Sequence, residues 1–326
     1  MTGGGSGGGS SGGGAGTVDA GDGIWDFASV TVSPTPAASG GIVGFAETDA
    51  GLLAMSGSGR LYLSTGGAFL EVRSFPGIQP LDFEGTPSGH LFFLTTVDVF
   101  DCASNCADGG AWTQGTVNPN GRALETLCVV DDANVMAVGT EGSFGAGMYF
   151  PWNGTIAATS IPLGVDSPGN CWRGATGDLF FPAEGEVLRY APLTSDITHE
   201  IVGPLATTLW RGGGSTPGHE WVARPGPVLL ERGSGGWTDA GVLGTGVEFI
   251  SVFVGVSPTL AFAFGGGGTA DGQCGYRFNG TSWARMTPDV PAIDRARASL
   301  RASNGTLFVG GTDSNGGPAI LRGTRR

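Results

Sequence analysis

The 326-residue chain holds 16 arginines, no lysine and 29 acidic residues, a formal charge of −13. An acidic surface repels phosphate backbones and anionic headgroups, which argues against general nucleic-acid binding and electrostatic membrane adhesion. Charged residues are only 14% and hydrophobic ones 40%, so a large core can form, and the 63 glycines, many scattered between short apolar runs, point to many tight turns and an all-β fold.

The chain opens MTGGGSGGGSSGGGAGTVDAGDG, and a Gly/Ser tract of this kind is a flexible coil that buries no core. Residues 1–23 therefore read as a flexible tether or an artificial linker, and residues 24–326 as one folded unit. The tract runs without a seam into TVDAGDG and resembles the spacer that follows the lipid-modified cysteine of bacterial lipoproteins. That resemblance implies a secreted or envelope-bound protein with a lipid anchor upstream of the tether. No run approaches the roughly 18 apolar residues of a membrane helix, so the chain itself is not expected to insert.

Beyond the tether one unit recurs. A strand opening just after a Gly-rich turn carries Trp25, Phe69, Trp112, Ile156, Ile197, Trp237 and Trp283, at steps of 44, 43, 44, 41, 40 and 46 residues. Each is preceded by a short, nearly continuous apolar run, as in GLLAMSG from Gly51, GHLFFLTT from Gly89 and PTLAFAFG from Pro258, the pattern of a strand buried on both faces. A third set lies between the two (GRLYLSTGG, EVLRYAP, GYRFNGT), and a fourth opens each unit (ending in GFAETDA, FEGTPSG). Four strands per unit, seven times, predicts a seven-bladed β-propeller of antiparallel blades. The last unit, from about Pro291, supplies only three strands, so the N-terminal strand is expected to close the last blade, leaving no orphan edge. Asn279-Gly280 is expected to form a type I′ turn between third and fourth strands, and the Asn-Gly-Thr sites at Asn153, Asn279 and Asn304 read as hairpin turns more than as glycosylation sites.

These units resemble the sialidase-like (Asp-box, or BNR) and kelch-like propellers of secreted bacterial proteins. LSTGGAFLEV, Leu63 to Val72, is similar to an Asp-box that has lost its aspartate. The resemblance implies fold much more than activity.

A sialidase-type site would need an arginine cluster, a Tyr/Glu nucleophile pair and an acid/base Asp, and glycosidases in general need paired carboxylates. Tyr62, Tyr149, Tyr190 and Tyr276 all fall on third strands, which points to packing, and no catalytic residue stands out. His90, His199 and His219 have no spaced second ligand, which argues against zinc or a Ser-His-Asp centre. No cofactor is expected. Asp271, Asp313 and Asn315 lie in Gly-rich loops that read as solvated turns or, alternatively, as weak calcium ligands, without the length or closing Glu of an EF-hand.

Trp-Arg-Gly recurs on the first strands of two consecutive units. Trp172, Arg173, Trp210 and Arg211 could face a ligand at the channel mouth, with Arg122, Arg295 and Arg297 nearby, or the rings could pack between blades. Cys102 and Cys106 read as a loop staple; Cys128 and Cys171 can bridge adjacent blades if their Cα atoms come within about 7 Å, which leaves Cys274 unpaired. The reading is a monomeric, extracytoplasmic, noncatalytic module that binds a glycan or protein. An Asp-box glycoside hydrolase and a purely structural envelope protein are the alternatives.

Overall fold

The computed structural model describes residues 23–34, 40–116, 123–132, 134–141, 146–152, 161–166, 169–183, 185–201, 212–224, 228–243, 249–266, 275–286 and 293–326. All regular structure among them is strand. After β1 (Trp25–Ser33) the chain lays down antiparallel four-stranded meanders. They are β2 to β5 (Ile42–Thr48, Gly51–Ser56, Arg60–Thr65, Ala68–Ser74), β6 to β9 (Asp82–Gly85, Leu91–Leu94, Asp98–Cys102, Thr113–Thr116) and β10 to β13 (Ala123–Asp131, Asn134–Glu141, Ala146–Trp152, Ile161–Asp166). Next come β14 to β17 (Trp172–Arg173, Leu179–Pro182, Glu186–Ala191, Asp196–Ile201), β18 to β21 (Gly213–Thr216, His219–Arg224, Val228–Gly233, Gly236–Val242) and β22 to β25 (Phe249–Ser257, Leu260–Gly266, Gly275–Phe278, Trp283–Arg285). The chain ends with β26 (Arg295–Arg301), β27 (Leu307–Thr312) and β28 (Pro318–Arg325).

The fourth strand of this last set is β1, which pairs antiparallel with β28 from Trp25↔Arg325 to Val30↔Ile320. It then runs on, and Thr31 to Ser33 pair in parallel with Ala68 to Leu70 of β5. One strand thus joins the last set to the first. Among the described residues, backbone pairing elsewhere between sets consists of the single bridges Gly44↔Phe83 and Gly266↔Arg295 and a hydrogen bond from the Leu124 amide to the Thr96 carbonyl (2.8 Å), and the ladders do not close into one continuous sheet.

What holds the sets side by side is apolar burial. Side chains alternate across a strand, so a strand buried on both faces serves two interfaces at once. On β7, Leu91 and Phe93 join the cluster with Leu53, Met55 and Phe83, while Phe92 and Leu94 join Leu124, Leu127 and Ala137 of the next set. The same division recurs on β15, where Leu179 and Phe181 pack with Cys128 and Val138, and Phe180 packs with Trp172 and Val222. β27 sends Leu307 and Val309 toward Phe262 and Phe264, and Phe308 toward Ile42, Phe45 and Phe69. Among the described residues each pair of consecutive sets, and the last set with the first, shares one such cluster.

The periodic large apolar residue, aromatic except at Ile156 and Ile197, closes these clusters. Phe69 is fully buried against the last set, and Trp112, Ile197, Trp237, Trp283 and Trp25 each pack on the cluster shared with the preceding set. Its recurrence therefore comes from packing, and Ile156, its counterpart in the β10 set, lies outside the described residues.

Turn chemistry departs from expectation in one place. Asn279-Gly280 does join β24 to β25, but only Gly280 takes a positive φ, of +88°. The loop is not type I′: Asn279 Oδ1 accepts the amides of Thr281 (3.0 Å) and Ser282 (2.9 Å), an Asx turn that keeps the asparagine out of the left-handed region. Asn304 also lies in a hairpin turn, between β26 and β27, while Asn153 lies outside the described residues.

Candidate binding site: the channel and its mouth

The first strands β2, β6, β10, β14, β18, β22 and β26 all contribute to one central cavity of about 270 Å³. Links of varied chemistry tie neighbouring first strands together. Gly44 of β2 lies against the Phe83 carbonyl so closely that a Cβ there would sit 2.0 Å from it. On β6, Asp82 Oδ2 accepts the hydroxyl of Thr126 (2.8 Å) and the amide of Leu127 (2.9 Å), and Glu84 Oε2 accepts the amide of Val129 (2.9 Å). Cys128 of β10 is disulfide-bonded to Cys171, with Cα atoms 5.8 Å apart. Ser215 Oγ donates to the Arg173 carbonyl (2.8 Å), Thr216 Oγ1 to that of Ser257 (2.7 Å) and Ser299 Oγ to that of Phe253 (3.1 Å). Ser303 donates its amide (2.8 Å) and hydroxyl (2.7 Å) to the Glu47 carboxylate at the end of β2, linking the last set to the first.

The two channel carboxylates are the site's main electrostatic feature, and the sequence reading missed them. Asp82 and Glu84 are half-buried, two residues apart on one strand and so on the same face. Burial pushes the Asp82 carboxyl up to about 6, against the opposing pull of the Leu127 amide, Thr126 hydroxyl and Phe83 amide. Glu84 is raised well above the carboxylate range, first by burial and then by the charge of Asp82. The readable signal was D-F-E in a first strand whose other copies present mostly apolar or small residues there.

One end of the channel widens into a cavity of about 310 Å³ at the N-terminal ends of the first strands. Val43, Leu81, Asp82, Glu125, Asn170, Ile250, Arg295 and Arg297 line it. Arg295 and Arg297 are exposed there, and Arg173 is exposed on the wall of the adjoining channel. Trp172 is a correction: its side chain is 9% exposed, its ring stacks on Phe180 at 5.4 Å, and a Cβ on Gly213 would lie 2.2 Å from it. The ring packs between sets and is not presented to a ligand. Trp210, Arg211 and Arg122 lie outside the described residues.

The remaining candidates are placed as follows. Cys102 and Cys106 form the expected staple, with Cα atoms 5.8 Å apart, and Cys274 lies outside the described residues. Asp313 Oδ1 accepts the amides of Asn315 (2.8 Å) and Gly317 (2.8 Å), so it organises its own turn, while Asp271 lies outside the described residues. Among the described residues no three His, Cys, Asp or Glu side chains gather to hold a metal. Each histidine meets a carboxylate: His90 with Asp101 (3.1 Å), His199 with Glu186 (2.9 Å) and His219 with Glu231. No helix among the described residues is long and apolar enough to cross a membrane.

No protein-family model matches the sequence, and no curated protein matches it. Solved structures do. A streptogramin B lyase matches with TM-score 0.68 at 10% identity, over 93% of this chain and 98% of that one. YCF48 bound to D1 peptide matches with TM-score 0.64 at 12% identity, over 91% of this chain and 96% of that one. The extracellular domain of the putative hybrid two component system BT4673 from B. thetaiotaomicron matches with TM-score 0.64 at 9% identity, over 91% of this chain and 40% of that one. These neighbours are β-propeller proteins of differing function, and at such identities the likeness is one of fold alone.

Proposed function

We propose that the chain is a noncatalytic, extracytoplasmic recognition module: a closed, seven-bladed, monomeric β-propeller that binds a partner, a glycan or more readily a protein segment, at the channel mouth. The shared clusters between all consecutive sets, the last and first included, support the seven-blade reading. The two-residue Gly66-Gly67 hairpin between β4 and β5 sits where the Asp-box-like LSTGGAFLEV falls, which supports kinship with that propeller group. Two disulfides fit an oxidising compartment, and the Gly/Ser tract fits a lipid-anchored tether at a bacterial envelope.

One observation carries the binding reading. The first strands converge on a cavity whose mouth gathers arginines beside an apolar wall, while the channel carboxylates have oxygens engaged by amides of the neighbouring strand. Immobilised protein is challenged with envelope extract and with a glycan array, beside an Arg295→Ala/Arg297→Ala variant. Retention of a partner by the wild type and its loss in the variant is the expected result; identical retention sinks the reading. Repeating both arms with EDTA tests calcium at Asp271, Asp313 and Asn315.

A second reading has its own observation. Asp82 and Glu84 are two raised-pKa carboxyls in one cavity, as a glycosidase acid requires. They stand side by side on one wall, however, where a hydrolase places its pair across the scissile bond. Turnover of fluorogenic glycosides abolished by Glu84→Gln would establish the hydrolase and displace the binding module.

A further inference from the structure

The mouth carries charge of both signs on facing walls. Arg295 and Arg297 stand on β26, two residues apart. Glu125 stands on β10, and Asp82 on the neighbouring β6. In the order of the sets, β26 and β10 are three steps apart one way and four the other, so in a ring of seven they oppose each other across the channel. Between them lie Leu81, which is 39% exposed, and the carboxamide of Asn170. Arg297 and Glu125 also make contacts within the protein.

We propose that the mouth holds a short peptide with free ends: its terminal carboxylate on Arg295 and Arg297, its terminal ammonium against Glu125 and Asp82, and an apolar side chain on Leu81. The proposal rests on the binding reading above and names the ligand class of that site. Guanidinium forks match a carboxylate in geometry as well as charge. An ammonium group brings three donors to acceptor-only carboxylates.

The alternatives fit less well. A purely anionic ligand would set its charge against Glu125 and Asp82, and a purely cationic one against the arginines. A neutral glycan would desolvate both walls without bringing a countercharge to either. It would also find no exposed aromatic face among the described mouth residues, since Trp172 is buried. The cavity of about 310 Å³ suits a ligand of a few residues. It adjoins the channel through Val43, Asp82, Asn170, Ser251 and Arg297, so a longer chain could thread inward.

Isothermal titration calorimetry with alanyl-leucyl-alanine is the test, using the free, N-acetylated and C-amidated forms on wild type, Arg295→Gln/Arg297→Gln and Glu125→Gln proteins. Thermal melts confirm that each variant is folded. The free tripeptide is expected to bind, and either cap to weaken it at least tenfold. The arginine variant should lose its sensitivity to amidation, and the Glu125 variant its sensitivity to acetylation. Equal binding of free and capped tripeptides overturns the proposal while leaving the mouth a peptide site. No binding of any tripeptide, with mouth-dependent capture of a partner intact, also overturns the proposal alone; failure of both experiments overturns the binding reading with it.

Discussion

Replacing Asp82 by asparagine should flatten part of the pH dependence of stability, because this carboxyl is held in the channel wall at a cost. Burial moves it from an ordinary 3.8 up to about 6, a displacement that corresponds to roughly 3 kcal/mol. The folded value lies above the unfolded one, so the folded protein holds this proton more tightly. The contribution is fully present below about pH 4 and is lost as the pH rises through about 6. Glu84 on the same strand, the Thr126 hydroxyl and Leu127 amide of β10, and Glu125, Arg295 and Arg297 around the mouth all face or share this cavity. Glu84 is raised as well, by burial and by the charge of Asp82, so its contribution too is lost as the pH rises. Asparagine cannot ionise, although it gives up one hydrogen bond of about 1 kcal/mol. Urea denaturation followed by tryptophan fluorescence between pH 4 and 7, at fixed ionic strength, should show the variant gaining roughly 3 kcal/mol on the wild type across that range. Subtracting the two curves removes the carboxylates that do not feel Asp82, while Glu84, which is raised in part by the Asp82 charge, contributes to the difference in the same direction. If the curves run parallel, Asp82 does not titrate in this window and the account of the channel is wrong.

Three further outcomes follow from the packing. Arg232 makes a two-nitrogen contact with Glu200 at 2.8 Å and 2.8 Å and reaches Glu220 at 3.2 Å, so Arg232→Ala should cost about 3 to 5 kcal/mol in chemical denaturation, with part regained on adding Glu220→Gln. Removing Cys128–Cys171, which spans 43 residues, should cost about 4 kcal/mol, against about 2 for Cys102–Cys106, which spans 4; equal losses in melts of the paired Cys→Ser variants would contradict the loop-closure argument. Phe27 of β1 is 8% exposed and meets the rings of Phe262 and Phe264 edge-on at 5.1 and 5.5 Å, so Phe27→Ala should cost about 3 to 5 kcal/mol; a loss below 1 would mean that the N-terminal strand does not secure the last set.

The architecture was legible because its physics repeats. A strand buried on both faces is apolar at nearly every position, so GHLFFLTT and PTLAFAFG announce themselves, and one large apolar residue recurs in each unit, aromatic in five of the seven. The site was less legible, because function lies where the repeat is broken. Trp-Arg-Gly looked like a ligand platform, but alternation along the strand turns Trp172 inward and Arg173 outward, and the space for the ring comes from Gly213 in the next set. That partner was visible in WRGGGSTPG only once the two units were known to be neighbours. Asp82 and Glu84 were passed over for a similar reason: their period of two puts both on the channel face, yet nothing in one chain says that the face is enclosed. Asn279 was assigned by its dipeptide, whereas its side chain had a better option in the local amides.

The same contrast explains how the units can differ so widely while keeping one arrangement. Each interface has two requirements, an apolar cluster and some link between adjoining first strands, and neither specifies a particular residue. Along this chain the link is a backbone bridge at Gly44, a carboxylate–amide pair at Asp82, a disulfide at Cys128 and a hydroxyl–carbonyl bond at Ser215. Since any of these serves, selection on the fold leaves first-strand side chains free to vary, and those facing the channel can be given over to a ligand. A fold kept by interchangeable links is expected to persist at 9 to 13% identity among proteins with different activities. It follows that the function of such a chain is to be sought in the few described channel and mouth positions that carry charge: Asp82, Glu84, Glu125, Arg173, Arg295 and Arg297.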